Sequence, residues 1–293
     1  MYGDRSLPAA QTQVVIARGA TFDDIAAQLA DAHVVGSAVA LRLLARLRHA
    51  DVNVHAGAYT FAPHRTADEV LRALESSGSQ IAAWVTIPEG FTAAQVAQRL
   101  QAAGIGDAAD TERAFRAMHA EGYLFPNTYL IPLDSSADAV AKQMMAEFAK
   151  ELPSDASARA RVLGIDVAQG VVVASLIERE AKADSDRPLI AGVIYNRLRS
   201  HMPLQIDATI EYALPEHKAA LSFADLKIDS PYNTYLHQGL PPTPIANPGR
   251  PSLVAAFHPA RTDALYYVYC GNGHHVFART LEEHQANVAR CLR

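Results

Sequence analysis

The sequence is poor in several things. Two cysteines, Cys270 and Cys291, occur in 293 residues, and neither belongs to a CxxC pair. A zinc ribbon or dithiol redox motif is thereby unsupported. The two thiols are left either joined as one disulfide or buried singly. Basic residues do not dominate: 26 Lys and Arg face 31 Asp and Glu, a net charge of −5. That balance argues against a chain built around nucleic acid, and says nothing against a neutral sugar or peptide. No aliphatic run exceeds "GVVVASLI" (170–177), far too short to span a bilayer. The opening "MYGDRSLPAAQTQ" has no basic n-region followed by an apolar h-region. The chain therefore reads as soluble, or as the soluble part of something longer. No glycine-rich phosphate loop is present, and Ser175 lies in no GxSxG elbow. His258, His274, His275 and His284 match no zinc spacing, and adjacent histidines on a strand point to opposite faces. No metal and no cofactor is expected.

What is present is a chain of ordinary apolar content, 49%, long enough for about two domains. "QVVIA" (13–17) reads as a strand, and "GATFDDIAAQLADAHVV" as a glycine turn, a Thr21 cap and an amphipathic helix. "SAVALRLLARL" is a second helix. "GAYTFAPHRTADEVLRALESSG" gives a strand, a capped helix and a glycine stop, closing a small α/β module near residue 79. "IAAWVTIPEGFTAAQVAQRLQAAG" repeats the order of strand, glycine turn, threonine and helix. Residues 121–137, rich in Pro and aromatics, read as a connector. Helices are expected at about 137–150 and 166–182, the second apolar nearly all round and so a core helix. After "DSDRP", Pro188 opens another helix. The strands "ALYYVYC" and "HHVFAR" flank a "GNG" hairpin turn, and "LEEHQANVARCL" makes a last helix.

Two carboxylates close the core helix. Glu178 and Glu180, two apart, project roughly 200° from each other on a helix. They cannot act as a local pair across one bond. Either both are solvated end-of-helix acids, or partners of Arg179 or Arg197, or one enters a cleft and holds a proton. The stretch "PYNTYLHQGLPPTPIANPGRPS" lacks periodicity, yet its aromatics need somewhere to pack. Tyr232, Asn233, Thr234, Tyr235 and Asn247 there offer amide, hydroxyl and ring surfaces that suit a carbohydrate. A packed structural loop is the alternative.

Several ordered blocks carry a family resemblance: "IPEGFT" (87–92), "EGYLFPNTY" (121–129), "ASLIERE" (174–180), "VIYNRL" (193–198), "MPLQIDATIEYAL" (202–214), "SPYNTYLHQGLPPTPIANPG" (230–249), "LVAAFHPA" (253–260) and "LYYV" with "GHHVFARTLEEH" (265–284). Together they resemble the endolytic murein transglycosylases, the YceG-like, membrane-anchored enzymes of bacterial peptidoglycan. The resemblance implies an α+β fold. It implies a LysM-like module at 1–79, a second small α/β segment and connector at 80–136, and a mixed helical/β catalytic domain with a glycan-binding cleft at 137–293. It implies non-hydrolytic cleavage between N-acetylmuramic acid and N-acetylglucosamine, leaving a 1,6-anhydro end. Rival readings are a hydrolytic muramidase and a non-catalytic peptidoglycan-binding scaffold.

The second acid of the "ERE" block, Glu180, matches the family's catalytic glutamate, and Glu178 the first acid. Gln205, Asp207, Tyr232, Asn233, Thr234, Tyr235 and Asn247 map to the cleft, as do His275 and Phe277. Gln205 and Asn233 are the amides suited to the sugar's N-acetyl group. Ile206 and Ala208 stand where the family often has threonine and proline, a departure expected in the cleft wall. The implied partners are glycan strands and cell-wall synthases, with no nucleic acid. The implied location is the extracytoplasmic side of the bacterial plasma membrane. The family's N-terminal membrane helix would end just before residue 1, so the chain is read as a soluble fragment.

Overall fold

A computed structural model describes residues 11–17, 19–50, 54–76, 80–214, 218, 221–271 and 273–291. The chain is a mixed α/β protein with two small sheets. It divides into two compact units, neither contiguous in sequence.

The first unit takes residues 1–86, 98–108 and 128–136. Its sheet is antiparallel, in the order β1 (Thr12–Ile16), β2 (Gly57–Phe61), β3 (Gln80–Thr86), β4 (Thr128–Pro132). Between β1 and β2 run α1 (Phe22–Asp31) and α2 (Ala38–Arg48); α3 (Ala67–Glu75) follows β2. Thr21 with Asp24 and Thr66 with Glu69 form reciprocal capping boxes, so the orphan amides of α1 and α3 are satisfied locally. Ile25, Leu29, Leu41, Val70, Leu71 and Leu74 pack on Val14, Ile16, Tyr59 and Phe61. The glycine stop expected at Gly78 lies outside the described residues.

β4 lies where a connector is expected. Its residues alternate exposed and buried, and it ends on Pro132. As the last strand of the sheet it tolerates a proline, because one of its edges needs no donors. The internal echo holds locally: Gly19 and Gly90 both adopt left-handed φ, two residues before Thr21 and Thr92. Thr92 and Gln95 exchange the same reciprocal bonds as Thr21 and Asp24. A side chain with a Cβ resists that backbone, so glycine sets the turn and threonine starts the helix.

The second unit takes residues 87–97, 109–127 and 137–293. Helix α4 (Ala93–Ala102) begins in it; α5 (Ala108–Ala117), α6 (Ala137–Glu151), α7 (Ala156–Leu163), α8 (Val167–Glu180) and α9 (Arg187–Arg199) follow. Then come α10 (Asp207–Ala213), α11 (Arg250–Phe257), the hairpin β5 (Tyr266–Tyr269) and β6 (His275–Ala278), and α12 (Leu281–Cys291). α5, α7, α10 and α11 were not foreseen; three of the four are of eight residues or fewer, too short for a clear period. α8 is the axis of this unit. Every residue from Gly170 to Ile177 is buried, and α7, α9, α10 and α11 pack around it. Ile206 and Ala208, expected in a cleft wall, are buried in this core instead. No single helix among the described residues is long and apolar enough to cross a membrane.

The cysteines form a disulfide, Cys270 to Cys291. It matters because α12 buries none of its residues, so little apolar contact holds the helix. Closing a loop with a sequence separation of 21 is worth roughly 3 kcal/mol. Cys291→Ser is expected to lower stability by about that amount and to speed amide exchange in α12 before the rest of the chain. Urea titration and hydrogen exchange read the two effects.

Candidate active site

α8 ends by placing three charged residues, 178–180, just beyond its buried run. The helical period sends the two acids apart, as expected. Glu178 meets Arg187 at 3.3 Å and accepts a bond from the Gly249 amide at 3.0 Å; its side chain is only 6% exposed. Arg187 also donates to Ser252. Glu89 packs over the same glycine so closely that a methyl group there would overlap its carboxylate. Burial, then the charge of Glu178, pushes the Glu89 carboxyl up. Glu178 is thus one end of a buried ion pair that ties α8 to the start of α9 and α11.

Glu180 faces a different neighbourhood. The residue as a whole is partly exposed. Oε2 accepts a hydrogen bond from the Tyr267 hydroxyl at 2.9 Å. Loss of water around the carboxyl pushes it up to about 7, and the charges of Asp207 and Glu211 push the same way. The Tyr267 bond and Lys182 pull against them. Being the last residue of α8, Glu180 also sits at the negative end of the helix dipole, which disfavours a second negative charge. Among the described residues no arginine clamps it: Arg179 pairs with Glu211 at 2.9 Å. Arg197 donates to the carbonyls of Leu265, Pro203 and Leu204.

The other expected residues divide into two groups. Near Glu180 stands Asp207, the first residue of α10, whose carboxylate accepts from the Tyr235 hydroxyl. Gln205 is held in a left-handed conformation, φ 53°. Its backbone N–H donates to Thr234 O at 3.0 Å, and its side-chain Oε1 accepts from Arg197 at 3.3 Å. Such a backbone is costly for a residue with a Cβ, and it persists because these bonds over-determine it. His275 and Phe277 flank Tyr267, ring centres 5.6 and 6.2 Å away.

The second group is spent on building the loop. Asn233 is fully buried; its amide donates to the carbonyls of Leu226 and Ile228 and accepts from Tyr235 N. No donor is left there for an N-acetyl group. Thr234 Oγ1 accepts from Ile206 N at 3.0 Å and sits 3.0 Å from Thr209 Oγ1. Tyr232 pairs its hydroxyl with Thr243 at 2.7 Å and its ring with Tyr212 at 4.9 Å. Asn247, also fully buried, joins Phe91, Leu124 and Glu121.

Some groups lay beyond sequence reasoning. Tyr267 is one. Asp186 is another: it holds His275 Nδ1 at 3.0 Å and approaches His274 Nδ1 at 3.4 Å. The adjacent histidines thus reach one carboxylate rather than opposite faces, because β6 begins only at His275 and alternation does not govern the turn residue before it. Glu121 is the third. Its carboxyl caps the Ala93 amide at 3.1 Å, accepts from Tyr212 at 3.2 Å, and is pushed up to about 7 by burial. The only signal for it was its place in the "EGYLFPNTY" block.

These raised carboxyls make stability depend on pH. Between the ordinary carboxyl value and about 7, the folded chain keeps protons on Glu121 and Glu180 that the unfolded chain has released. Their contribution therefore favours the folded state at low pH and is lost as pH rises through that window. Thermal unfolding should show Glu121→Gln losing less stability than the wild type between about pH 5 and about pH 8.

The fold is mixed α/β with two small sheets, and the carboxyl that closes its core helix is pushed up to about 7 by loss of water. The model of the YceG-like family matches residues 14–290, and the chain belongs to that family. An endolytic murein transglycosylase of Bacillus subtilis (strain 168) is 46% identical over 165 residues, 56% of this chain and 46% of the relative. That of Streptococcus pneumoniae serotype 2 (strain D39) is 30% identical over 319 residues, 94% of this chain and 57% of the relative. The chain thus spans about half the length of the curated relatives it matches. A crystal structure of a yceG-like protein from Listeria monocytogenes aligns with TM-score 0.65 at 31% identity, covering 95% of this chain and 99% of that one.

Proposed function

We propose that the chain is the catalytic part of a lytic murein transglycosylase, with Glu180 as both acid and base. The observation that carries this reading is the Glu180 carboxyl, bonded to the Tyr267 hydroxyl, without an arginine partner among the described residues, and poised at about 7. A group titrating near neutrality serves as acid and as base in one cycle. Protonated Glu180 gives its proton to the glycosidic oxygen as the bond to the muramic acid C1 breaks. The sugar's own C6 hydroxyl then bonds to C1, and its proton goes to Glu180. The 1,6-anhydro end forms, the carboxyl is restored, and no water is consumed.

Hydrolysis is the second reading, and Asp207 is the observation that favours it. Its bond from Tyr235 and its electrostatic influence on Glu180 support a reading in which it serves as the second carboxylate that activates water in glycoside hydrolysis. Mass spectrometry of digested murein separates the two. Transglycosylation leaves anhydro ends, whereas hydrolysis adds one water per cut.

The substrate under either reading is the glycan strand of peptidoglycan, taken from the relatives' names. Residues 1–79 are assigned as a LysM-like glycan-binding module and 137–293 as the part that cleaves. The strand–helix–helix–strand order of β1 to β2, around its own core, supports the first assignment. Action on the extracytoplasmic face of the plasma membrane, beside cell-wall synthases, follows from where such a strand is made.

A further inference from the structure

Antiparallel pairing sets Tyr267 opposite Phe277 and Tyr269 opposite His275. Side chains alternate along a strand, so these four rings share one face of the β5–β6 hairpin. The other face turns Tyr266 toward α12, where it stacks on His284 at 5.2 Å. On the first face the His275 ring stands nearly perpendicular to Tyr267, centres 5.6 Å apart, and Tyr269 packs on it at the same spacing. His275 is fixed in turn by Asp186. One oxygen of that carboxylate accepts from the His275 backbone amide at 2.7 Å and meets its Nδ1 at 3.0 Å. The His275 side chain is only 4% exposed. Tyr267 is therefore a ring with little freedom, mounted on a strand, braced by a histidine that a carboxylate holds at the start of α9. Its hydroxyl ends 2.9 Å from Glu180 Oε2.

We propose that Tyr267 is a positioning residue for Glu180: its braced hydroxyl occupies Oε2, so that Oε1 carries and returns the proton, and it steadies the carboxylate between the two halves of the reaction. This rests on Glu180 being the acid and base proposed above. Oε1 has no hydrogen-bond partner among the described residues and is not sealed from solvent. With Oε2 engaged as an acceptor, the proton of the neutral acid belongs on Oε1. Tyr267 stays a donor throughout, since burial and the charge of Glu180 hold its phenol well above the ordinary tyrosine range.

A hydrogen bond to the charged form of an acid favours that form. The groups acting on Glu180 otherwise divide. Desolvation, Asp207 and Glu211 favour the neutral acid, and Lys182 the carboxylate. Arg197 and Asp207 act on Tyr267 itself. Without the phenol, Glu180 would hold its proton more firmly. Giving that proton away, and existing as a carboxylate when the C6 hydroxyl attacks, would both become harder. The phenol is thus what keeps a desolvated carboxyl usable in both directions.

The test compares Tyr267→Phe, a ring-fluorinated tyrosine at position 267, and Glu180→Gln on purified murein, across pH. Phe keeps the ring and removes the donor. The fluorinated ring keeps the shape and strengthens the donor. Expected for Tyr267→Phe is kcat lower by about tenfold with KM little changed, the loss of roughly one hydrogen bond to a charged group in the transition state. The alkaline limb of the rate profile should move up by up to about one pH unit, and the fluorinated ring should move it down. The Glu180 carbon-13 carboxyl signal, assigned by its absence in Glu180→Gln, should titrate with the same two displacements. A purely packing role moves neither limb nor signal. If Glu180→Gln is inactive while both Tyr267 variants keep the wild-type profile and titration, the role given to Tyr267 is wrong. If Glu180→Gln cleaves at the wild-type rate, the assignment of Glu180 fails first and takes this one with it. Should Tyr267→Phe not fold, the fluorinated variant alone decides, by shift or by no shift.

Discussion

Glu180→Gln is expected to abolish glycan cleavage, by about 10²–10⁴-fold, the usual share of a general acid–base group, while the protein stays folded. The amide is nearly isosteric and still accepts a bond from Tyr267, so the geometry around it survives. What disappears is the exchangeable proton. The same change should raise stability at alkaline pH, because a desolvated carboxylate facing Asp207 and Glu211 is replaced by a neutral group. Cleavage of purified murein, followed by product release, reads the first effect. Thermal unfolding at about pH 8 reads the second. Loss of activity with a gain in stability marks a side chain kept for chemistry. Loss of both marks one kept for packing, and would return Glu180 to the status of a structural acid. Unchanged cleavage would remove it from the mechanism.

Asn247→Ala is expected to destabilise the second unit by roughly 3–5 kcal/mol. Its Oδ1 accepts from Leu124 N at 2.9 Å; its Nδ2 donates to Phe91 O at 2.8 Å and to Glu121 at 3.3 Å. Its own backbone joins Phe91 and Gly90 as well. Truncation takes the acceptor from the buried Leu124 amide hydrogen and one donor from the buried Glu121 carboxyl, at a fully buried position. Three blocks distant in sequence, 87–92, 121–129 and 230–249, meet at this one amide. Urea unfolding gives the magnitude. A cost under about 1 kcal/mol would mean that the three segments hold together without it. Glu180 should still titrate normally in the fraction that remains folded, which separates this effect from a catalytic one.

The local elements were legible because they are local. Thr21 with Asp24, Thr66 with Glu69 and Asp166 with Gln169 write their capping boxes within three residues. The run from Gly170 to Ile177 has no polar face, and a helix without one must be buried. The 3.6-residue period alone separates Glu178 from Glu180, and the structure gives them different partners. β4 was hidden because five residues ending in proline resemble a connector until β3 is beside them. Asn233 and Asn247 looked available for a sugar because an amide in a loop has the same formula whether its bonds are spent or free.

By itself the sequence offered candidates: two carboxyls at the end of a core helix, polar and aromatic residues in ordered blocks, two cysteines. Only the tertiary structure decided which neighbours each of them meets. Tyr267 and Glu180 are 87 residues apart, Asp186 and His275 89 apart, and no local pattern encodes either meeting. The behaviour of an acid depends on how much water it loses and which charges it faces, and both are set by chain segments folded over it. Glu178 and Glu180 are the same amino acid, one residue apart from adjacency. One became the buried partner of Arg187 and the other a carboxyl poised near neutrality, because the helix turned them toward different neighbours.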